Sequence, residues 1–238
     1  MKKITTLLFI LAANFALAQT NLKLNVQPGF KMKGVYDMTM KMSMMGKKMD
    51  MHALYYISGI ANNTNDKKET EWTFTIDSLI MDSKQGKEVH HINSNDSKTM
   101  QDAPSKITDA VGKKILVMVD EFGNVNSMEN KDESAMIIKS LFIQFAGKEI
   151  AKKEKWNKET AMDVMGQSFT SNTEFSINAE DANTYSITGS ASNEMMEDPV
   201  VTKYIVDKKT GLIQSCSSEV EMKMMGSIKT NVQYKAQW

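Results

Sequence analysis

Apolar and polar residues alternate with a period of two along residues 30–44. Even positions carry Phe30, Tyr36 and the methionines 38, 40, 42 and 44, whereas odd positions are mostly Lys, Asp, Thr or Ser. Such alternation predicts a strand with one buried and one solvated face. After the turn-like residues 45–48, the apolar positions become odd. We therefore predict a hairpin whose methionines share one face, with Met40 and Met42 buried and Lys41 exposed.

The same period predicts further strands. Residues 71–81 place Trp72, Phe74, Ile76 and Ile80 on one face, and residues 115–119 are apolar on both faces. Shorter strands are expected at 125–128, 160–165, 168–177, 184–190 and 200–206. Residues 219–238 keep one alternation across Met225 and Gly226, which predicts a bent strand or a loop of odd length.

The motif Met-x-Met-Met-Gly occurs twice, at Met42–Gly46 and Met222–Gly226. It is either a weak internal repeat or a coincidence in a chain with 21 methionines. The segment 90–102, which contains His90 and His91, is polar and predicts a surface excursion.

Two segments predict helices. Asp132–Gly147 starts with a capping residue, ends at glycine and is apolar around most of its circumference. Pro104–Val111 predicts a shorter helix that stops before Gly112. We expect a mainly β (α+β) fold: a curved antiparallel sheet or half-barrel with one long and one short helix over its concave face. The long helix should close an apolar cavity.

Residues 1–18 have the organisation of a signal peptide. Lys2 and Lys3 precede the apolar run 7–13, and Ala16-Leu17-Ala18 forms an A-x-A cleavage site. We predict cleavage after Ala18, export to the periplasm or the extracellular space, and a mature chain 19–238 that forms one β-rich domain. The apolar run is too short for a stable membrane span, so we expect no transmembrane span in the mature chain.

Composition narrows the function classes. All basic residues are lysine, which argues against a nucleic-acid site, where the arginine fork is favoured. Three histidines, two of them adjacent, and a single cysteine, Cys216, do not form a zinc motif. No nucleophile elbow or phosphate loop is present. We expect neither an enzyme nor a resident cofactor.

Several short segments resemble known families. The methionine-rich hairpin, the segments Gly112–Asp120 and Gly123–Val125, and Lys155-Trp156 resemble a family of exported bacterial proteins of unknown function. More distantly, Tyr204–Leu212 is similar to a turn in periplasmic lipoprotein-carrier half-barrels. That resemblance implies a curved antiparallel sheet with helices over a concave, lipid-binding face.

The methionines carry the functional hypothesis. Methionine is unbranched and flexible, so it forms an apolar surface that adapts to ligands of variable shape. We expect a lipid or other hydrophobic ligand to bind an apolar face formed by Met38, Met40, Met42, Met51, Tyr55, Trp72, Phe74 and Phe142. Two alternatives stay open. One is a structural β domain of the cell envelope without a small ligand. The other is Cu(I) binding by the soft thioethers of Met40, Met42, Met44, Met49 and Met51.

Overall fold

The computed structural model describes residues 20–44, 46–101, 103, 109–129, 133–151, 153–164, 167–192, 198–223 and 226–238. The predicted signal peptide, most of the predicted helix at 104–111 and Asp132 lie outside these residues.

Twelve antiparallel strands in the described residues form a single unclosed sheet. Their bounds are β1 Lys31–Met44, β2 Lys47–Thr64, β3 Glu69–Gln85, β4 Glu88–Asn93, β5 Lys114–Asp120, β6 Val125–Met128, β7 Lys155–Val164, β8 Gln167–Glu180, β9 Thr184–Ser192, β10 Val200–Asp207, β11 Ile213–Lys223 and β12 Gly226–Gln237. The mainly β class predicted from alternation is confirmed.

The strand order is β6-β5-β3-β2-β1-β12-β11-β10-β9-β8-β7, with β4 paired to the far part of β3. The first and last strands therefore lie side by side in the middle of the sheet. The C-terminal strands form a hairpin whose last pair is Lys223 with Ser227. Three residues separate that pair, which confirms the odd-length loop and explains why the alternation keeps its phase.

Contacts of Phe142 and Gln144 show that the sheet is curved. Phe142 packs edge-on against Trp72 of β3, with ring centroids 5.9 Å apart, and the carbonyl of Gln144 accepts a 2.9 Å hydrogen bond from the indole of Trp156 in β7. β3 and β7 are eight steps apart in the strand order. In a flat sheet they would be roughly 38 Å apart, whereas residues 142 and 144 are separated by at most about 7 Å. The sheet therefore curls around this segment.

An N-terminal segment, residues 20–29, closes one end of the curled sheet. The Leu24 amide donates to the carbonyl of Glu121 in the β5–β6 turn, and the Asn25 amide donates to that of Thr210 in the β10–β11 turn. Gly211 has φ +73°, and a Cβ atom there would lie 2.2 Å from the carbonyl oxygen of Lys23. Glycine is thus required both by the turn and by the close approach of the segment.

The predicted long helix is shorter than expected, and one short helix was not predicted. The described residues contain α1, Ser97–Met100, and α2, Glu133–Lys139. The prediction of one long helix to Gly147 is wrong, because the chain leaves the helix after Lys139 and the Phe145 amide donates to the carbonyl of Phe122 instead. Inside a curled sheet, a non-helical segment can bury side chains on several sides, so the nearly all-round apolar pattern does not require a helix up to Gly147. Met136 is 56% exposed, so α2 is not buried on all sides.

Two strand predictions also need correction. A bulge in β3 opposite Tyr56 and Ile57 shifts the alternation, so Leu79, rather than the predicted Ile80, shares the buried face of Ile76. His90 and His91 lie at the surface as expected, but they belong to β4, which pairs with β3.

Candidate functional site

The face of the sheet that carries Trp72 and Phe74 is here called the inner face. Directly paired residues in neighbouring antiparallel strands lie on the same face, so the registers assign every strand position to this face or to the solvated outer face. The end closed by residues 20–29 is the closed end. The opposite end, at the tips of the β1–β2 and β11–β12 hairpins, is the open end.

The closed half of the inner face is a filled aromatic and aliphatic core. Trp72 and Phe74 are fully buried and stack with their ring centroids 5.5 Å apart, and Phe142 lies edge-on against both. Glycines leave room for these rings. A Cβ atom on Gly59 would lie 2.5 Å from the Phe74 ring, and one on Gly34 would lie 2.5 Å from the Tyr234 ring. The rings fill the space under residues 140–146, where the sequence led us to expect a cavity.

A row of tyrosines crosses the middle of the inner face. The paired residues are Leu79, Tyr55, Tyr36, Tyr234, Cys216, Tyr204 and Ile187, one from each of seven neighbouring strands. Burial raises the pKa of Tyr204 to about 12 and that of the Cys216 thiol to about 11. The thiol is therefore protonated at neutral pH, which fits a small structural residue and argues against a reactive nucleophile.

The open half of the inner face lies beyond this row, and in β1 and β2 it is lined mainly by methionine. Met38 pairs with Ala53, Met40 with Met51, and Met42 with Met49. From β12, the neighbours of Met38, Met40 and Met42 are Val232, Thr230 and Ile228 respectively. All of these residues except the buried Ala53 are half-buried, whereas Lys41 and Lys229, on the outer face of the same strands, are exposed.

The main core does not extend to the open end. Met38 and Met81 still pack against the buried cluster, but Met40, Met42, Met49 and Met51 lie outside it. Exposure of Lys41 is as expected, whereas the prediction that Met40 and Met42 are buried is wrong, because none of the described core residues covers them. The open half is therefore an apolar surface that retains contact with solvent.

The eight residues of the predicted ligand face fall into two groups. Met38, Met40, Met42 and Met51 lie in the open half, whereas Tyr55, Trp72, Phe74 and Phe142 lie in the row of tyrosines or in the filled core. Phe74 pairs with Gly59, and Gly59 pairs with Met32, so Phe74 and Met32 lie at the same position along the strand direction. Ten residues of β1 separate Met32 from Met42, which corresponds to about 33 Å along the strand. The alternation shows that these residues share one face, but it does not show that they lie at different positions along the strands.

Of the five methionines considered for Cu(I), four form two directly opposed pairs, Met40 with Met51 and Met42 with Met49. The backbone of Met44 pairs with Lys47, and the side chain of Met44 lies outside the described part of the structure.

The contribution of the C-terminal strands was missed at the sequence level. Met44 of the first Met-x-Met-Met-Gly motif pairs with Gly226 of the second, so the two motifs belong to adjacent hairpins at the open end. Ile228, Thr230 and Val232 extend the inner face beside β1. The shared motif and the shared even alternation were the available signals for this pairing.

Other candidate sites are limited in the described residues. A polar depression of about 250 Å³ at the closed end contains Lys23, Lys68 and Glu121. A second depression, of about 180 Å³ and mixed in character, is lined by Lys203, Ile205 and Ser217 among others. Across the described ranges, no three His, Cys, Asp or Glu side chains come together as a potential metal site. The helices found there are too short or too polar to cross a membrane.

Comparison with known proteins finds a similar fold among solved structures. No family model matches the chain, and no curated protein matches it. A structure of lipovitellin, described by its lipid–protein interactions, has a TM-score of 0.61 and 11% sequence identity over 90% of this chain and 26% of lipovitellin. The chain thus spans about a quarter of that protein. The lipid-carrier-like fold expected from the sequence is confirmed at the level of the fold.

A second similar structure is that of the hypothetical lipoprotein YmcC from Escherichia coli (K12). Its TM-score is 0.33 and its sequence identity is 10%, over 96% of this chain and 95% of YmcC.

Proposed function

We propose that this chain is an exported, non-enzymatic protein that binds a lipid or another hydrophobic ligand on the open half of its inner face. The observation that carries the proposal is the half-buried apolar surface of Met40, Met42, Met49, Met51 and Ile228, which continues the inner face past the filled core.

Hydrophobic energetics support this proposal. Fully burying a methionine side chain is worth about 1.5–3 kcal/mol, and only part of this is realised while the side chain stays half-exposed. A ligand that covers several such side chains would gain the remainder. Methionine also loses little by changing rotamer, so one surface can accommodate acyl chains that differ in length or unsaturation.

The fold gives independent support. A curled sheet presents a trough whose walls come from several strands, and none of the described core residues covers Met40, Met42, Met49 or Met51. Lipovitellin, whose fold is similar, is described by its lipid–protein interactions. Export is the cellular context that residues 1–18 predict, through the basic start, apolar run and A-x-A site.

The direct test is native mass spectrometry of residues 19–238 purified from the producing cells, before and after delipidation. We expect a bound lipid before delipidation. Adding a long-chain fatty acid to the delipidated protein should raise its melting temperature, because a ligand that binds only the folded state stabilises it.

A matched pair of variants localises the site. Met42→Asp places a charge on the inner face, and Lys41→Asp places one on the outer face of the same strand. We expect the first to abolish the ligand-dependent shift and the second to leave it unchanged. Absence of both co-purified lipid and any fatty-acid shift would contradict the proposal and favour the structural envelope domain.

A further inference from the structure

The two methionine pairs at the open end form a four-membered cluster. Met40 and Met42 are two residues apart on β1, and their partners Met51 and Met49 are two residues apart on β2. All four side chains are described and half-buried. We call this cluster the methionine quartet.

The spacing of a β-sheet allows the four sulfur atoms to converge. Opposed Cβ atoms are about 5 Å apart, and alternate residues of a strand are about 6.7 Å apart. The centre of this rectangle is therefore about 4 Å from each Cβ atom. A thioether sulfur lies two bonds beyond Cβ, and all four side chains leave the sheet on the same side. One ion above the centre is within reach of three or four sulfur atoms.

The surroundings determine which ion would be retained. On the inner face, the neighbours of the quartet are Ser83 and Gln85 in β3 and Thr230 and Ile228 in β12. These positions carry no carboxylate, imidazole or thiol. Hard cations prefer charged oxygen ligands, and zinc prefers thiolate or imidazole, so neither is favoured here. Neutral thioethers select soft, singly charged ions.

We propose that the methionine quartet is a binding site for Cu(I). The copper site uses four of the methionines of the proposed hydrophobic-ligand surface, but its requirement is different, since it needs sulfur at these four positions and not merely an apolar side chain. A reduced copper ion would be held by thioether sulfur atoms from both strands at the lip of the trough, with partial access to solvent for loading and release.

The residue types along β1 and β2 also support the Cu(I) proposal. Toward the closed end, the same inner face uses Tyr36 opposite Tyr55 and Gly34 opposite Ile57. Strands favour β-branched and aromatic residues, and threonine or valine would suit a half-buried position at least as well. The two successive Met–Met pairs depart from this preference, and they do so where four sulfur atoms can approach one ion.

The test is anaerobic titration of the delipidated protein with Cu(I) against a colorimetric Cu(I) chelator, with Ag(I) as a second probe that does not change oxidation state. We expect one ion per chain by native mass spectrometry. X-ray absorption should show sulfur scattering as the dominant first shell. Met40→Leu and Met51→Leu should each weaken binding by at least about tenfold, because changes even outside the ligand set have effects of that size.

Matched controls separate the outcomes. Met118→Leu makes the same replacement on the outer face of β5 and should leave Cu(I) binding unchanged. Cys216→Ser and His52→Ala should also leave it unchanged. The leucine variants of the quartet keep an apolar inner face, so they should still show the fatty-acid shift while losing copper.

Two outcomes would overturn the copper proposal. The first is that, in the chelator competition, the unaltered protein binds no more Cu(I) or Ag(I) than the Met40→Leu, Met51→Leu double variant does. The second is binding that depends on Cys216 or His52 and not on the quartet. Neither result would affect the test of hydrophobic-ligand binding.

Discussion

The closed and open halves of the inner face use the same strands for two different surfaces. Near the closed end, β1 and β2 present Gly34 opposite Ile57 within a core whose rings fit over glycines. Near the open end, they present Met40 opposite Met51, and these side chains lie outside the buried cluster. The hydrophobic alternation is the same in both halves. Alternation alone therefore shows which face is apolar, but it does not show whether anything covers that face.

This difference has a physical consequence for each half. Rigid rings that interlock with glycines and with Phe142 hold one arrangement, because each ring fills a space that no other side chain fits. Methionines without such partners have several rotamers of similar energy. We interpret the closed half as the part that specifies the fold and the open half as the part that is adaptable.

The largest effect is expected from truncation in the closed half. Phe142→Ala should lower the free energy of unfolding by about 3–5 kcal/mol, since it leaves a cavity between Trp72, Phe74 and the segment after α2. Met42→Ala, in the open half, should cost only about 1 kcal/mol, because half-buried surface loses less on truncation. Urea denaturation of both variants measures the contrast. Equal losses would contradict the distinction between the two halves.

The next effect tests how the closed end is held. Gly211→Ala should cost roughly 3 kcal/mol, because the new Cβ atom meets the carbonyl of Lys23 and the residue has φ +73°. Gly86→Ala is the matched control at the open end, with φ +63° and no heavy atom within 4 Å of the added carbon. It should cost only about 1 kcal/mol from backbone strain. Similar melting temperatures for the two variants would argue against tight packing of residues 20–29.

A smaller effect tests which face is apolar at the open end. Met40→Lys should destabilise the protein by about 1 kcal/mol, since the lysine stem can cover part of the lost surface while its ammonium group reaches solvent. Lys41→Met, on the exposed outer face, should change stability by less than about 0.5 kcal/mol. Thermal melting of the pair measures this difference, and a larger loss for Lys41→Met would reverse the assignment of the faces.

The smallest effect concerns Cys216, in the row of tyrosines between the two halves. Its pKa is raised from 9.0 to about 11 by burial, so the unfolded chain loses this proton at a lower pH than the native protein does. The resulting stabilisation is complete below pH 9 and decreases as the pH rises toward 11. Between pH 8 and 11, the melting temperature should therefore decrease more steeply with pH for the native sequence than for Cys216→Ala. Parallel curves would show that the thiol is not buried.

Much of the fold follows from alternation in the sequence. It predicts the β1–β2 hairpin, the odd-length connection of the C-terminal hairpin and the apolar face on which the methionines lie. It does not predict the pairing of β1 with β12, because strands distant in sequence carry no register signal of their own. The bulge in β3 puts Leu79 instead of Ile80 on the buried face, and no glycine or proline in the sequence marks this bulge. The segment 140–146 follows helix-like periodicity, but hydrogen bonds to Phe122 and Trp156 determine its conformation.

The candidate site is predictable in part for the same reasons. Met40, Met42 and Met51 were identified because they share a face, and Trp72, Phe74 and Phe142 were grouped with them for the same reason. Only the strand order and the position along each strand separate these two groups. Ile228 and Val232 were not identified, because their place beside β1 depends on the long-range pairing.

The central position of that pairing affects when the sheet can assemble. Lys33 pairs with Gln237, and the register continues to Met44 with Gly226, so the middle of the sheet joins the two extremes of the chain. Contacts this distant in sequence slow folding, because a very large loop must close before the contacts form. A chain emerging from a ribosome cannot form this pairing until β12 has been released. The two half-sheets would stay unjoined until then, and removal of β12 should leave their facing edges exposed.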